Sequence, residues 1–140
     1  MILGIDPGSS SGAICRFDPT GQDPMLVENM PDTMLDMYRR IDGHVCTALC
    51  GREPLLLVLE DVGGSRPGNS AKSSRTFAEH CGALRLTMDL MRSKDTLRVH
   101  TVRVLPRKWM YDLFGSAYPS GNSNKDKRKQ YIYDLSLIHI

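Results

Sequence analysis

Five apolar residues in a row closed by an acid, LLLVLE at positions 55 to 60, constrain this chain more than any other feature. An unbroken run of that length, without polar alternation, is the pattern of a central strand covered on both faces. A second run has the same ending: ILGID at 2 to 6 closes on Asp6 as LLLVLE closes on Glu60. In an open sheet, parallel strands deliver the residues at their carboxyl ends into a shared crevice where ligands bind. Asp6 and Glu60 are therefore predicted to be neighbours although they lie far apart in sequence. Two ionised carboxylates sit close together only with positive charge between them, and Mg²⁺, with Mn²⁺ as a substitute, takes such hard oxygen ligands. A metal held there activates water and stabilises charge on a phosphoryl oxygen. Each acid taken alone reads as a solvated strand end; the pairing is what points to a metal.

Around these two runs the chain reads as an alternation of strands and helices. Residues 2 to 6 and 11 to 17 form a predicted hairpin across the Pro7-Gly8-Ser9-Ser10 turn, and DPTGQDP at 18 to 24 is a turn leading into a third strand at 25 to 30. Pro31-Asp32-Thr33 introduces a helix with apolar positions Met34, Met37, Ile41, Val45 and Leu49, ending near Gly51 and interrupted by Gly43. After the strand ending at Glu60, GGSRPGNS at 63 to 70 is loop, and a helix over 71 to 92 buries Phe77, Cys81, Leu84, Met88 and Met91. A strand near 97 to 105 follows, then a short helix opened by Pro106 with Trp109 and Leu113, a loop, and a last helix beginning at KDKRKQYIYDL. The chain stops at SLIHI with no acid beyond Asp134, which reads as a fragment lacking its final helix; the sequence does not tell whether residues near 136 to 140 are native.

The 140 residues suit one domain, 1 to 140, incomplete at its C-terminal end, and 41% apolar with 24% charged residues is the balance of a globular chain rather than a disordered one. No stretch is long and apolar enough to span a bilayer and no signal peptide opens the chain, so no membrane association and a cytoplasmic location are expected. Cys15, Cys46, Cys50 and Cys81 form no CxxC pair and are expected to be buried free thiols; His44, His80, His100 and His139 have no metal-ligand spacing and are read as structural or solvated. The net charge of +2 conceals an uneven distribution, since residues 98 to 130 carry eight Lys and Arg against Asp112 and Asp126. An acidic crevice beside a basic flank suits an enzyme acting on a polyanion, although a charge run is by itself also a solvated helix face.

The succession ILGIDPGSSSGAI, then LLLVLEDVGGSRPGNSAKSSRTFAEHCGAL, then VRVLPRKWMYDLFG followed by NKDKRKQ resembles the RuvC-type Holliday junction resolvases, in particular their phage-like members. The resemblance covers nearly the whole chain and rests on order and spacing rather than on any single piece. It implies an α/β, RNase H-like fold: a mixed sheet whose first three strands form an antiparallel meander, with later strands parallel to the first, flanked by helices. It also implies a homodimer that binds four-way or otherwise branched DNA and cuts two strands of like polarity with Mg²⁺. Matched position by position, Asp6 and Glu60 correspond to the first two metal-binding acids of the family, and Lys125 to a lysine near the scissile phosphate that stabilises developing negative charge. Relatives carry two further acidic or histidine ligands on a helix beyond the lysine, and the sequence ends before that helix. Phage-type relatives also commonly have a lysine after the Trp, where this chain has Met110.

Other residues take their roles from placement. Arg66, Lys72 and Arg75, with the hydroxyls of Ser70, Ser73 and Ser74, fall on the loop and helix start after Glu60, where a positive helix end helps hold phosphates. Ordinary loop solubility accounts for each of them singly as well. Asp61 is turned by strand alternation to the other face from Glu60 and is given a minor role. Two further functions fit parts of the chain. One is a noncatalytic junction-binding module; the other is a fragment of an actin-like ATP-binding kinase, whose first phosphate-binding turn GIDPGSSSG also resembles.

Overall fold

The computed structural model describes residues 1 to 8, 12 to 62, 70 to 106, 108 and 111. Five strands and two helices follow one another as β1 (Ile2–Asp6), β2 (Ala13–Phe17), β3 (Leu26–Asn29), α1 (Met34–Cys50), β4 (Leu55–Glu60), α2 (Ala71–Lys94) and β5 (Val99–Val104). The strands lie in the order β3-β2-β1-β4-β5. β1 pairs antiparallel with β2 and β2 with β3, while β4 runs parallel to β1 and β5 parallel to β4. This is the RNase H-like mixed sheet that the resemblance implies. The two short reversals leave β1 to β3 as a meander, and each parallel return is made through a helix, as a crossover requires. The chain divides into two units, Met1–Leu105 and Pro106–Ile140; in the second, Pro106, Lys108 and Tyr111 are helical. The expected last helix lies outside the described residues.

Local chemistry sets the boundaries. The Thr33 side chain caps α1 by accepting from the Asp36 amide at 3.1 Å, and its hydroxyl donates to the Asp36 carboxylate at 2.7 Å. Ser70 caps α2 in the same way, accepting from the Ser73 amide at 3.2 Å. The turn between β2 and β3 is organised by Asp18, which accepts from the amides of Thr20, Gln22 and Asp23. The Thr20 amide and hydroxyl lead these donors in holding the carboxyl at a pKa of about 2.

Both helices pack on the same side, against each other and against β4 and β5. Leu3, Ile5, Leu55, Leu57 and Leu59 are buried there with Met37, Ile41 and Val45 of α1 and Leu84, Met88 and Met91 of α2. Ala48, not Leu49, completes the buried line of α1, and Met34 is exposed. Leu56 and Val58, on the opposite face, are only half-buried, so among the described residues the central strand has one fully covered face rather than two. Two cysteines also depart from expectation. Cys81 is buried and Cys15 half-buried, but Cys46 and Cys50 are exposed, because their positions on α1 fall off the line through Met37, Ile41 and Val45 that meets the sheet.

Leu57 lies at the centre of this packing with no exposed surface. Leu57→Ala is expected to cost about 3 kcal/mol, the transfer free energy of the lost methyls plus that of a cavity the neighbouring Leu and Met side chains fill only in part. A urea denaturation midpoint lowered at unchanged slope checks it; a loss under about 1 kcal/mol would mean that the core closes over the gap.

Candidate active site

Strand register decides whether the two acids meet. β1 and β4 pair in parallel with Ile2 opposite Leu56 and Ile5 opposite Leu59; one residue further, the same offset sets Asp6 opposite Glu60. In-register residues on adjacent strands point to the same face, and the strands lie about 4.8 Å apart. The row continues through Ala13 and Asn29 on one side and Val104 on the other. Asp6 and Glu60 are its two ionisable members. They stand at the carboxyl ends of parallel strands on the face away from the two helices, Asp6 exposed and Glu60 half-buried. A pair of carboxylates this close suits a hard divalent cation. Among the described residues no group of three His, Cys, Asp or Glu side chains converges as a metal cage.

The backbone around Asp6 is fixed by Gly12. Its amide donates to the Gly8 carbonyl at 3.0 Å, and its own carbonyl accepts from the Met30 amide at 2.9 Å. A side chain at position 12 would put its Cβ 2.5 Å from the Asp6 carbonyl oxygen and 2.5 Å from that of Gly8. The close approach of two backbone segments therefore requires glycine, and it holds the end of β1 where Asp6 leaves the strand.

Asp61 does turn to the other face, as strand alternation predicts. It accepts from Nη2 of Arg85 on α2, and its amide donates to the Val104 carbonyl at 2.9 Å. These contacts brace the end of β4 next to Glu60 against α2 and β5. No sequence pattern reveals the Arg85 partner, which is 24 residues away; Gly12 was legible only as a glycine entering the second predicted strand.

The first turns of α2 carry the predicted phosphate-binding residues. β4 ends and α2 begins at the same end of the sheet, because α2 runs back to start the parallel strand β5. Ser70, Lys72 and Ser73 are exposed and Ser74 is half-buried. The Ser70 oxygen is engaged as the helix cap. Arg75 donates from Nε to the Glu79 carboxylate at 2.8 Å, a pairing that raises its pKa further, and so shares its charge with an acid one turn on. Arg66 and Lys125 lie outside the described residues.

His80, on the inward side of α2, is 4% exposed and its Nε2 has no hydrogen-bond partner. Burial lowers its pKa below the ordinary 6.5 because the protonated ring would lose its hydration. The unfolded chain thus takes up this proton before the folded one does. His80 contributes fully above pH 6.5 and costs stability as the pH falls below that value. Chemical denaturation from about pH 7 to about pH 5 is expected to show falling stability, and His80→Leu to flatten that decline; equal slopes for both proteins would assign the acid sensitivity elsewhere.

No protein-family model matches the chain, and no curated protein matches it. Among solved structures it is similar to the Thermus thermophilus RuvC structure, at 17% identity over 85% of this chain and 72% of that chain, with a TM-score of 0.46. It is also similar to T. thermophilus RuvC in complex with Holliday junction substrate, at 15% identity over 81% of this chain and 69% of that one, with a TM-score of 0.47.

Proposed function

We propose that the chain is the nuclease domain of a divalent-metal-dependent, structure-selective endodeoxyribonuclease that cuts Holliday junctions or other branched DNA and works as a homodimer. The observation that carries this reading is the register of β1 and β4, which sets Asp6 beside Glu60 at the carboxyl ends of two parallel strands. The order of motifs from ILGID to NKDKRKQ and the RNase H-like strand order support the same reading.

Asp6 and Glu60 would hold the cation, Mg²⁺ or Mn²⁺, with ligands from elsewhere completing the site. Bound there, the metal supplies a water of lowered pKa and positive charge beside the scissile phosphate. The chain's own residues position the DNA. Lys72, Ser73 and Ser74 at the start of α2, with Arg75 and Arg66, hold backbone phosphates, and the helix N-terminus adds partial positive charge. Ser70 shapes that end through its cap. Lys125 counters the negative charge that develops on the phosphoryl oxygens. Hydrolysis leaves a 5′-phosphate and a 3′-hydroxyl. Selectivity for branched DNA comes from its shape and from the spacing of two sites in a dimer, while phosphate contacts supply affinity and salt sensitivity.

A labelled four-way junction incubated with the protein and Mg²⁺ tests this directly. Paired, symmetric nicks are the expected result. Tight binding without nicks in Mg²⁺ or Mn²⁺ would make the protein a junction-binding module, and neither binding nor nicks would return attention to nucleotide phosphates as the ligand of the first turn.

A further inference from the structure

A second feature lies on the helix-bearing side of the sheet, where α1 passes over β2. A groove of about 590 Å³ opens there, with Arg16 on β2 and Arg39, Arg40, His44 and Thr47 on α1 in its walls. That volume falls among those of clefts that take ligands larger than a single ion. Gly43 lines the groove one turn after Arg39 and Arg40. A Cβ at Gly43 would meet nothing within 4 Å, so packing does not require glycine at this mid-helix position. A bulky side chain there would project into the groove, in a helix interior where glycine is otherwise unfavourable.

The acids nearby engage His44 and Arg40 but leave the donors of Arg16 and Arg39 available. Glu28 accepts from His44 at 2.8 Å and pairs with Arg40 at 3.0 Å, orienting both. Arg39 lies 3.6 Å from Asp36 and Arg16 lies 3.9 Å from Asp23. Both separations exceed hydrogen-bond length, so neither pairing spends the fork of guanidinium donors that matches phosphate oxygens. Asp36 lies in the groove's wall with three guanidinium groups, and Glu28 and Asp23 stand against Arg40 and Arg16 from beside it. Exposed pairs of this kind contribute little and exchange readily for a stronger anionic partner.

We propose that this groove binds the phosphodiester backbone of a second arm of branched DNA, apart from the arm held at Asp6 and Glu60. This rests on the reading of the protein as a branched-DNA enzyme. Arg16 pairs with Leu3 and Ala13 with Asp6, so Arg16 stands three residues down the sheet from the acidic row, about 10 Å away, and its side chain leaves from the opposite face. One straight duplex lying on the acidic row does not also run through the groove; a molecule with several arms can reach both.

Fluorescence anisotropy over a salt series compares the 140-residue protein, Arg16→Gln/Arg39→Gln, and Gly43→Leu, which fills the groove without changing its charge. The probes are a four-way junction and a linear duplex of one arm's sequence. Each lost phosphate contact lowers the salt slope by about 0.9, so the double variant is expected to lose about 1.8 on the junction and little on the linear duplex. Gly43→Leu is expected to weaken junction binding in the same direction, with an unchanged circular dichroism spectrum. Folded variants that bind the junction with the parent's slope and affinity would overturn the proposal, as would an absence of junction binding by the parent. Inorganic phosphate is added as competitor: relief of the difference between parent and variants only at high concentration supports a backbone ligand, and saturation of the groove by phosphate with junction binding unaffected overturns it. Cleavage is scored separately. A parent that binds the junction through the groove but cuts nothing in any divalent metal defeats the nuclease reading and leaves the groove standing.

Discussion

Asp6→Asn is expected to abolish junction cleavage, lowering the rate by on the order of a thousandfold or more, while junction affinity stays within a fewfold of the parent. A neutral amide keeps the shape of the side chain but is a weaker oxygen donor and carries no charge, and metal-assisted stabilisation of phosphoryl charge is worth several kcal/mol at about 1.4 kcal/mol per tenfold in rate. The groups at the start of α2 proposed to hold phosphates are separate side chains, which the substitution leaves in place. A readout independent of activity accompanies this one. A cation that binds only the folded protein, present at a hundredfold excess over its dissociation constant, adds about 2.7 kcal/mol of stability. Mg²⁺ or Mn²⁺ should therefore raise the melting temperature of the parent, and should raise it much less for Asp6→Asn and for Glu60→Gln. Metal stabilisation that survives in both variants would place the cation somewhere other than the Asp6 and Glu60 row, whatever happened to cleavage.

Gly12→Ala is expected to destabilise the fold by at least about 3 kcal/mol, a large part of the 5 to 15 kcal/mol that holds a typical domain together. The added methyl would meet the Asp6 and Gly8 carbonyl oxygens at 2.5 Å and the Gly8 amide nitrogen at 2.6 Å. All three are backbone atoms, so no flexible side chain can turn aside. Relief requires pulling Gly12 away from Gly8 and loosening its bond to Met30, which joins this segment to the end of β3. A fall of about 10 °C in melting temperature is expected for a chain of this size. Gly82→Ala is the control. Gly82 sits inside α2 with nothing within 4 Å of its would-be Cβ, and the same substitution there should stabilise the protein by up to about 1 kcal/mol. Similar effects at the two positions would show that Gly12 is not a close-approach site.

Much of the fold was legible because its signals are local. An unbroken apolar run can lie only in a covered strand or helix, and LLLVLE is too short for a helix. The apolar spacing of Met37, Ile41 and Val45, and of Cys81, Leu84, Met88 and Met91, places a stripe on one side of each helix, and those residues are buried. Prediction strayed where a property depends on what lies opposite. Cys46 and Cys50 read as buried because cysteine usually is, yet nothing in the chain's order reveals that α2 and the sheet meet α1 along a line that leaves them exposed. LLLVLE reads as covered on both faces, but Leu56 and Val58 keep partial exposure, since coverage of a sheet face is decided by which side the crossovers take.

The candidate site divides in the same way. The sequence by itself determined the residue types and their strand-end positions: Asp6 and Glu60 each close an apolar strand, and the first turns of the helix after Glu60 carry Lys72, Ser73 and Ser74. Their neighbourhood was expected from those strand ends, and only the tertiary structure fixed the register that sets them side by side. Pairing register is a relation between segments, and a slip of one residue would turn one carboxylate to the opposite face. The observed offset, Ile5 opposite Leu59, is held because it places Leu3, Ile5, Leu57 and Leu59 together against the helices. Burial of the core on one face of the sheet is the physical reason that the acids share the other.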